Sequence, residues 1–116
     1  MIRTNGVSHV ELAVDDIDRA IQFYSDVFGF EVVQLSNGNA VLRTPGAPGS
    51  LALQQAGGPN PLHIARFGLS LIDPADLDAA ISLALSNGGS LICRTDHPLG
   101  GGTATISDPA GHWITL

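Results

Sequence analysis

Two stretches of this chain carry one pattern, and that repeat limits the folds open to it. Residues 7–29 align on residues 64–89 with a single three-residue insertion near Pro74. His9 then falls opposite Arg66, Val14 opposite Leu71, Ile17 opposite Leu77 and Ile21 opposite Ile81. A repeat that fills so much of a 116-residue chain outranks local propensity as a guide to architecture. Each half is too small to close a core of its own, so the halves must pair, within one chain or between two.

Each repeat opens on a strand that runs into a helix. Val7 to Val14 is rich in β-branched residues, and alternation puts His9, Glu11 and Ala13 on one face with Val10, Leu12 and Val14 on the other. Asp16 is the expected N-cap of a helix whose buried stripe is Ile17, Ala20, Ile21, Tyr24 and Phe28, and Gly29 ends it. Phe30 to Leu35 and Asn39 to Arg43 read as a hairpin about Ser36-Asn37-Gly38, and Ser50 to Gln55 as a further strand. Gly57-Gly58-Pro59-Asn60-Pro61 is the clearest linker. Beyond it, Ala65 to Ile72 reads as a strand and Asp73-Pro74 as a helix start with proline at the first helical position. Leu77, Ala80, Ile81, Ala84 and Leu85 form the second buried stripe, which Asn87-Gly88-Gly89 stops. Leu91 to Thr95, Thr103 to Ser107 and His112 to Leu116 read as the last strands. The order is βαβββ, linker, βαβββ. The expectation is one α+β domain over 1–116, made of a module at 7–55, a linker at 56–62 and a module at 63–116.

Composition narrows the function classes. Five Arg and no lysine stand against eleven Asp+Glu, a formal charge of -6, which is too few cations to displace counterions from a nucleic acid. No apolar run approaches the ~18 residues of a membrane span, and Met1 to Gly6 lack the apolar core of a signal peptide, so the expected compartment is the cytoplasm. The lone Cys93 rules out an internal disulfide and a cysteine-rich zinc site, and its apolar strand marks it as a small buried hydrophobe. A Gly-x-Ser-x-Gly nucleophile turn is absent, and a chain without lysine has no Walker-type phosphate loop; Gly100-Gly101-Gly102 reads as a flexible loop instead.

The residues His9-Val10-Glu11-Leu12-Ala13-Val14-Asp15-Asp16, the helix with Ala20-Ile21-Gln22-Phe23-Tyr24 and the Phe28-Gly29-Phe30 after it resemble the vicinal oxygen chelate superfamily. Asp73-Pro74-Ala75-Asp76-Leu77-Asp78-Ala79-Ala80 and the closing Asp108-Pro109-Ala110-Gly111-His112 are equally similar to it. That superfamily includes glyoxalase I, extradiol ring-cleaving dioxygenases, fosfomycin-resistance enzymes and bleomycin-resistance proteins. The resemblance implies a cup-shaped mixed sheet built from the two βαβββ modules. A homodimer is expected because half sheets need covered edges, the alternative being intrachain pairing that leaves a monomer. The resemblance bears on fold far more than on reaction, since one fold hosts several chemistries.

In metal-using members each module supplies a histidine or similar ligand from its first strand and a glutamate from its last. Carried over, the four positions are His9, Ala52, Arg66 and Thr115. Only His9 is a good ligand: alanine offers no donor, a guanidinium repels a divalent ion, and a threonine hydroxyl is weak. The expected cofactor is therefore none, the alternative being a divalent Fe, Mn, Ni or Zn ion. His63 lies three residues ahead of the ligand position, His97 sits in a solvated loop, and His112 is expected to close a turn or pack.

The resemblance lines the cup with His9, Glu11, Gln54, Arg66, Ser70, Trp113 and Thr115, with Gly68 leaving room beside them. Such a set suits a planar or anionic organic ligand, with Arg66 pairing a carboxylate and Trp113 stacking. Against it stands a plain pairing of Arg66 with Glu11 across the cup, and a structural role for His9. Three functions follow in order: a metal-independent small-molecule-binding protein; a metal-dependent lyase or ring-cleaving dioxygenase using His9 and Glu11 in a shifted or subunit-shared site; and a metal-free acid–base enzyme with His9 or Glu11 as base.

Overall fold

The computed structural model describes residues 1–56 and 64–116; the Gly-Gly-Pro-Asn-Pro linker and His63 lie outside them. Eight strands and two α-helices follow in order: β1 (His9–Val14), α1 (Ile17–Phe28), β2 (Glu31–Ser36), β3 (Asn39–Arg43), β4 (Ser50–Gln55), β5 (Arg66–Gly68), α2 (Leu77–Ser86), β6 (Ser90–Asp96), β7 (Gly102–Ser107) and β8 (Trp113–Thr115). They make two four-stranded sheets of like order, β1-β4-β3-β2 and β5-β8-β7-β6. In each, the first strand runs parallel to the last and the remaining pairs are antiparallel. This is the α+β, mixed-sheet, two-module architecture that the repeat implies.

The repeat persists into fine detail. His9 pairs with Ser50 as Arg66 pairs with Trp113, and Leu42 pairs with Leu51 as Ile106 pairs with Ile114. Both hairpins slip by one residue at the same place, at Val33 between Val32 and Gln34 and at Ile92 between Leu91 and Cys93. A bulge of this kind bends and twists the strand that carries it.

One face of each sheet is covered by helix. Leu12, Val14, Leu42, Leu51, Leu53, Ile106 and Ile114 from the strands join Ala20, Phe23 and Tyr24 of α1 and Leu77, Ile81 and Ala84 of α2 in one continuous buried cluster. The two helices pack against each other, so neither module closes its core alone. Phe23 stands edge-on to Tyr24 at 5.2 Å between ring centres, and Tyr24 to Phe30 at 5.9 Å, arrangements worth about 1 kcal/mol each beyond their burial.

Helix ends follow their sequence signals. Asp16 accepts a hydrogen bond from the Arg19 amide, and Gly29 closes α1 in the left-handed region at φ 71°. Asp73 caps a single 3-10 turn, Pro74–Asp76, through the Ala75 amide, and α2 continues from it. Gln55 adds a cap that alternation does not announce: its Oε1 accepts from the Ile17 amide while its Nε2 donates to the Asp15 carbonyl.

Four expectations need correction, the first being Leu85, expected in the buried stripe of α2 but pointing to solvent beyond Ala84. The first strand begins at His9, not Val7, because β4 offers partners only from Ser50 onward. The strand expected over Ala65 to Ile72 is three residues long, because its partner β8 spans only Trp113–Thr115. Cys93 is exposed, since β6 is an edge strand whose residues all meet solvent.

Candidate functional site

The uncovered faces of the two sheets hold the residues with chemistry. Sheet alternation sets His9 and Glu11 on β1, and Arg66 and Gly68 on β5, opposite the buried rows. His9 Nε2 lies 3.1 Å from Glu11 Oε1, and its Nδ1 lies 2.8 Å from Ser8 Oγ. Both ring nitrogens are thus engaged by neighbours on the same strand and its approach.

The Arg66 guanidinium sits over the Trp113 ring, 4.2 Å from its centre. Their register makes this contact: β5 and β8 are parallel neighbours with Arg66 directly beside Trp113. A cation over an indole is held by the ring quadrupole, and no carboxylate pairs with Arg66 among the described residues. The pairing of Arg66 with Glu11 considered from sequence does not form: Glu11 turns to His9 on its own strand and Arg66 to the indole beside it.

The other expected lining residues are spread along the same faces. Thr115 is exposed on β8 beside Gly68, with its hydroxyl 3.5 Å from that of Thr105. Gln54 is exposed on β4 beside Ala13. Ser70 is exposed past the end of β5, so strand alternation no longer fixes its direction. Thus Arg66 and Trp113 are brought together, as are His9 and Glu11, while Gln54, Ser70 and Thr115 stand apart from either pair in the contacts formed.

A family-type metal does not fit this donor set. The register puts Ala52 beside Glu11 and Thr115 beside Gly68, so the four ligand positions offer one imidazole, a methyl group, a guanidinium and a hydroxyl. Among the described residues, no three His, Cys, Asp or Glu side chains gather closely enough to hold an ion.

A buried polar cluster lies between the modules, and its cross-module contacts are not announced by the sequence. The Tyr24 hydroxyl donates to Asp108 Oδ2 at 2.6 Å, joining α1 to the loop before β8. Asp108 Oδ1 accepts from the Ala110 and His112 amides. His112, fully buried, accepts at Nδ1 from the Ala65 amide at 2.9 Å, which puts its proton on Nε2, and that proton goes to the Ala13 carbonyl at 2.7 Å. Burial first, then the facing Asp108 charge, raises the Tyr24 phenol far above the ordinary range for tyrosine. The His112 main chain closes the turn as expected, through its amide to Asp108 Oδ1 and its carbonyl to the Asp108 amide, while its ring ties the end of β1 to the approach of β5. The available signal was Tyr24 itself, a phenol within an apolar stripe that needs a buried acceptor.

A cavity of about 190 Å³ opens at the opposite end of the seam between modules. Its walls include Val10, Phe30, Leu51 and Phe67, with His9 and Gly49 also lining it.

Comparison with known proteins agrees with this architecture. The sequence profile of the Glyoxalase/Bleomycin resistance protein/Dioxygenase superfamily matches residues 6–116. A glyoxylase-like domain-containing protein of Didymella fabae is 30% identical over 93 residues, covering 77% of this chain and 73% of that protein. Two crystal structures share the fold at lower identity. A glyoxalase-related enzyme from Fulvimarina pelagi superposes with a TM-score of 0.76 at 18% identity, over 97% of this chain and 86% of that one. A lactoylglutathione lyase from Agrobacterium tumefaciens superposes with a TM-score of 0.72 at 24% identity, over 97% and 92%. With its duplicated βαβββ modules and a profile match across nearly its whole length, the chain belongs to the glyoxalase/bleomycin resistance protein/dioxygenase superfamily.

Proposed function

We propose that this protein is a metal-independent small-molecule-binding member of its superfamily, taking a planar or anionic organic ligand against Arg66 and Trp113. One observation carries the reading: a guanidinium stacked on an indole with no carboxylate partner among the described residues. The outward edge of such a fork can take a carboxylate in two parallel hydrogen bonds, and its free face can receive a flat ring. Thr115 adds a hydroxyl on the same module and Ser70 another beyond the end of β5, while His9, Glu11 and Gln54 belong to the other module.

Trp113 is the only tryptophan, so its fluorescence reports on this site alone. Titration with benzoate in the presence of a chelator is expected to change that emission saturably. Arg66→Ala should weaken the binding by about tenfold or more, the worth of one charge-assisted pair. A flat titration, or affinity that disappears on chelation, overturns the reading.

The second reading is a metal-dependent lyase or ring-cleaving dioxygenase. The His9–Glu11 contact at 3.1 Å favours it, as a donor pair that a second subunit would have to complete. Metal analysis of tag-free protein, purified without chelator, decides: a stoichiometric ion lost in His9→Ala supports it, and a metal-free protein with no activity gained on adding metal rejects it.

The proposal includes a homodimer. Edge strands β2 and β6 expose Val32, Val33 and Leu35, and Leu91 and Ile92, apolar rows of the kind a second copy covers. Light scattering at one chain mass would reject it. The cytoplasm is the proposed compartment, where an exposed thiol such as Cys93 stays reduced, and cell fractionation tests it. No helix among the described residues is long and apolar enough to cross a membrane.

A further inference from the structure

The seam between modules has two ends related by the internal repeat, and they differ. Ser50 corresponds to Trp113 by register, and the backbone agrees: the Ser50 amide donates to the Ser8 carbonyl just as the Trp113 amide donates to the Ala65 carbonyl. The residue before each is therefore equivalent, so Gly49 stands where the other module has His112. Leu42 and Ile106 are equivalent by their partners, which sets Thr44 against Asp108, each followed by proline. The helix alignment of Ile17 with Leu77 and Ile21 with Ile81 sets Tyr24 against Ala84.

Every member of the buried Tyr24–Asp108–His112 network thus has a truncated counterpart: Ala84, Thr44 and Gly49. At the first end an imidazole fills the seam and bonds a main-chain amide and a carbonyl. At the second end lies the cavity of about 190 Å³, with Gly49 and Thr44 in its wall. A Cβ added at Gly49 meets nothing within 4 Å.

We propose that this cavity is a binding site for a small planar heteroaromatic ring, imidazole-sized to indole-sized, taking the place that the His112 ring occupies at the other end. The volume suits it, since an apolar protein cavity of about 150 Å³ accommodates a benzene ring. The walls suit it too: Val10, Phe30, Leu51 and Phe67 supply apolar contact, while Ser8 and His9 supply polar groups at the rim. The main chain at Ser8 corresponds to that at Ala65, whose amide binds the His112 ring nitrogen. The site shares His9 and Gly68 with the uncovered sheet faces but neither Arg66 nor Trp113, and it does not depend on the function proposed for that pair.

The test is titration of the isotope-labelled protein with imidazole, followed by NMR of the backbone amides. Saturable shifts are expected at Gly49, Phe67, Gly68 and Leu69, with a dissociation constant on the order of millimolar, as befits so few atoms. Gly49→His places the ring covalently, and should weaken imidazole binding at least about tenfold while raising Tm. Gly49→Ala leaves most of the space and should bind nearly as wild type, which guards against a Gly49→His variant that fails to fold. Arg66→Ala should leave the imidazole shifts in place even where it abolishes benzoate binding. Absence of shifts at the seam, shifts confined to Trp113 and its neighbours, or undiminished binding in folded Gly49→His would overturn the proposal.

Discussion

In the second module, Asp108 and His112 cross the seam to Tyr24 and Ala13; in the first, Thr44 and Gly49 hold the same places with a short hydroxyl and no side chain at all. The backbones around them match strand for strand and bulge for bulge. A shared backbone therefore does not share out the work of holding the halves together. One end fastens the modules by buried charge-assisted hydrogen bonds, and the other leaves volume that a ligand can use.

Substitutions can break that contrast, and the largest effect belongs to Asp108→Ala. It strands the Tyr24 hydroxyl, the buried His112 amide and the part-buried Ala110 amide, and is expected to cost about 3–5 kcal/mol by the usual penalty for unpaired buried donors. The matching Thr44→Ala should cost under about 1 kcal/mol, as partly exposed side chains do. Chemical denaturation of both variants measures the difference, and equal losses would end the idea of a one-sided lock.

His112→Ala removes two hydrogen bonds and opens a void, for about 2–4 kcal/mol in the same assay. Tyr24→Phe removes one bond to a carboxylate that keeps two amide donors, for about 2 kcal/mol.

Tyr24 also carries a pH signature. Its folded pKa is raised above the unfolded value of about 10, so the neutral phenol is the form that folding favours. Its contribution is complete below about pH 10 and is lost as pH rises beyond it, at up to roughly 1.4 kcal/mol per pH unit. Since Tyr24 is the only tyrosine, tyrosinate absorbance should appear together with unfolding rather than before it. Phenol titration in the folded chain at ordinary alkaline pH would contradict the buried bond. Gln55→Ala, which removes the extra cap on α1, should cost about 1 kcal/mol, less than any substitution in the buried lock and against no effect on α2.

What the sequence discloses depends on how locally each feature is determined. Strand faces, helix caps and the module order follow from alternation and capping residues within a few positions, and they appear where expected. The length of β5 does not, because it is set by the three residues of β8 that pair with it, nearly fifty positions away. Cys93 is exposed although its strand is apolar, because an edge strand has no cover and composition does not mark edges. Arg66 and Trp113 were legible as a cationic fork and an aromatic plane, but their stacking required the parallel register. Asp108 and His112 were visible as a closing loop, whereas their partners come from residues 84 and 99 positions earlier.

The bulges at Val33 and Ile92 carry a consequence for assembly. A two-residue slip of either hairpin would keep every side chain on its proper face, so hydrophobicity alone would tolerate it. It would also shift the bulge against its partner strand, and the kink would no longer fall where the sheet bends. Each hairpin therefore contains its own ruler. Register within β2–β3, and within β6–β7, is thus fixed by contacts inside each hairpin, without reference to the parallel first strand at the sheet's other edge.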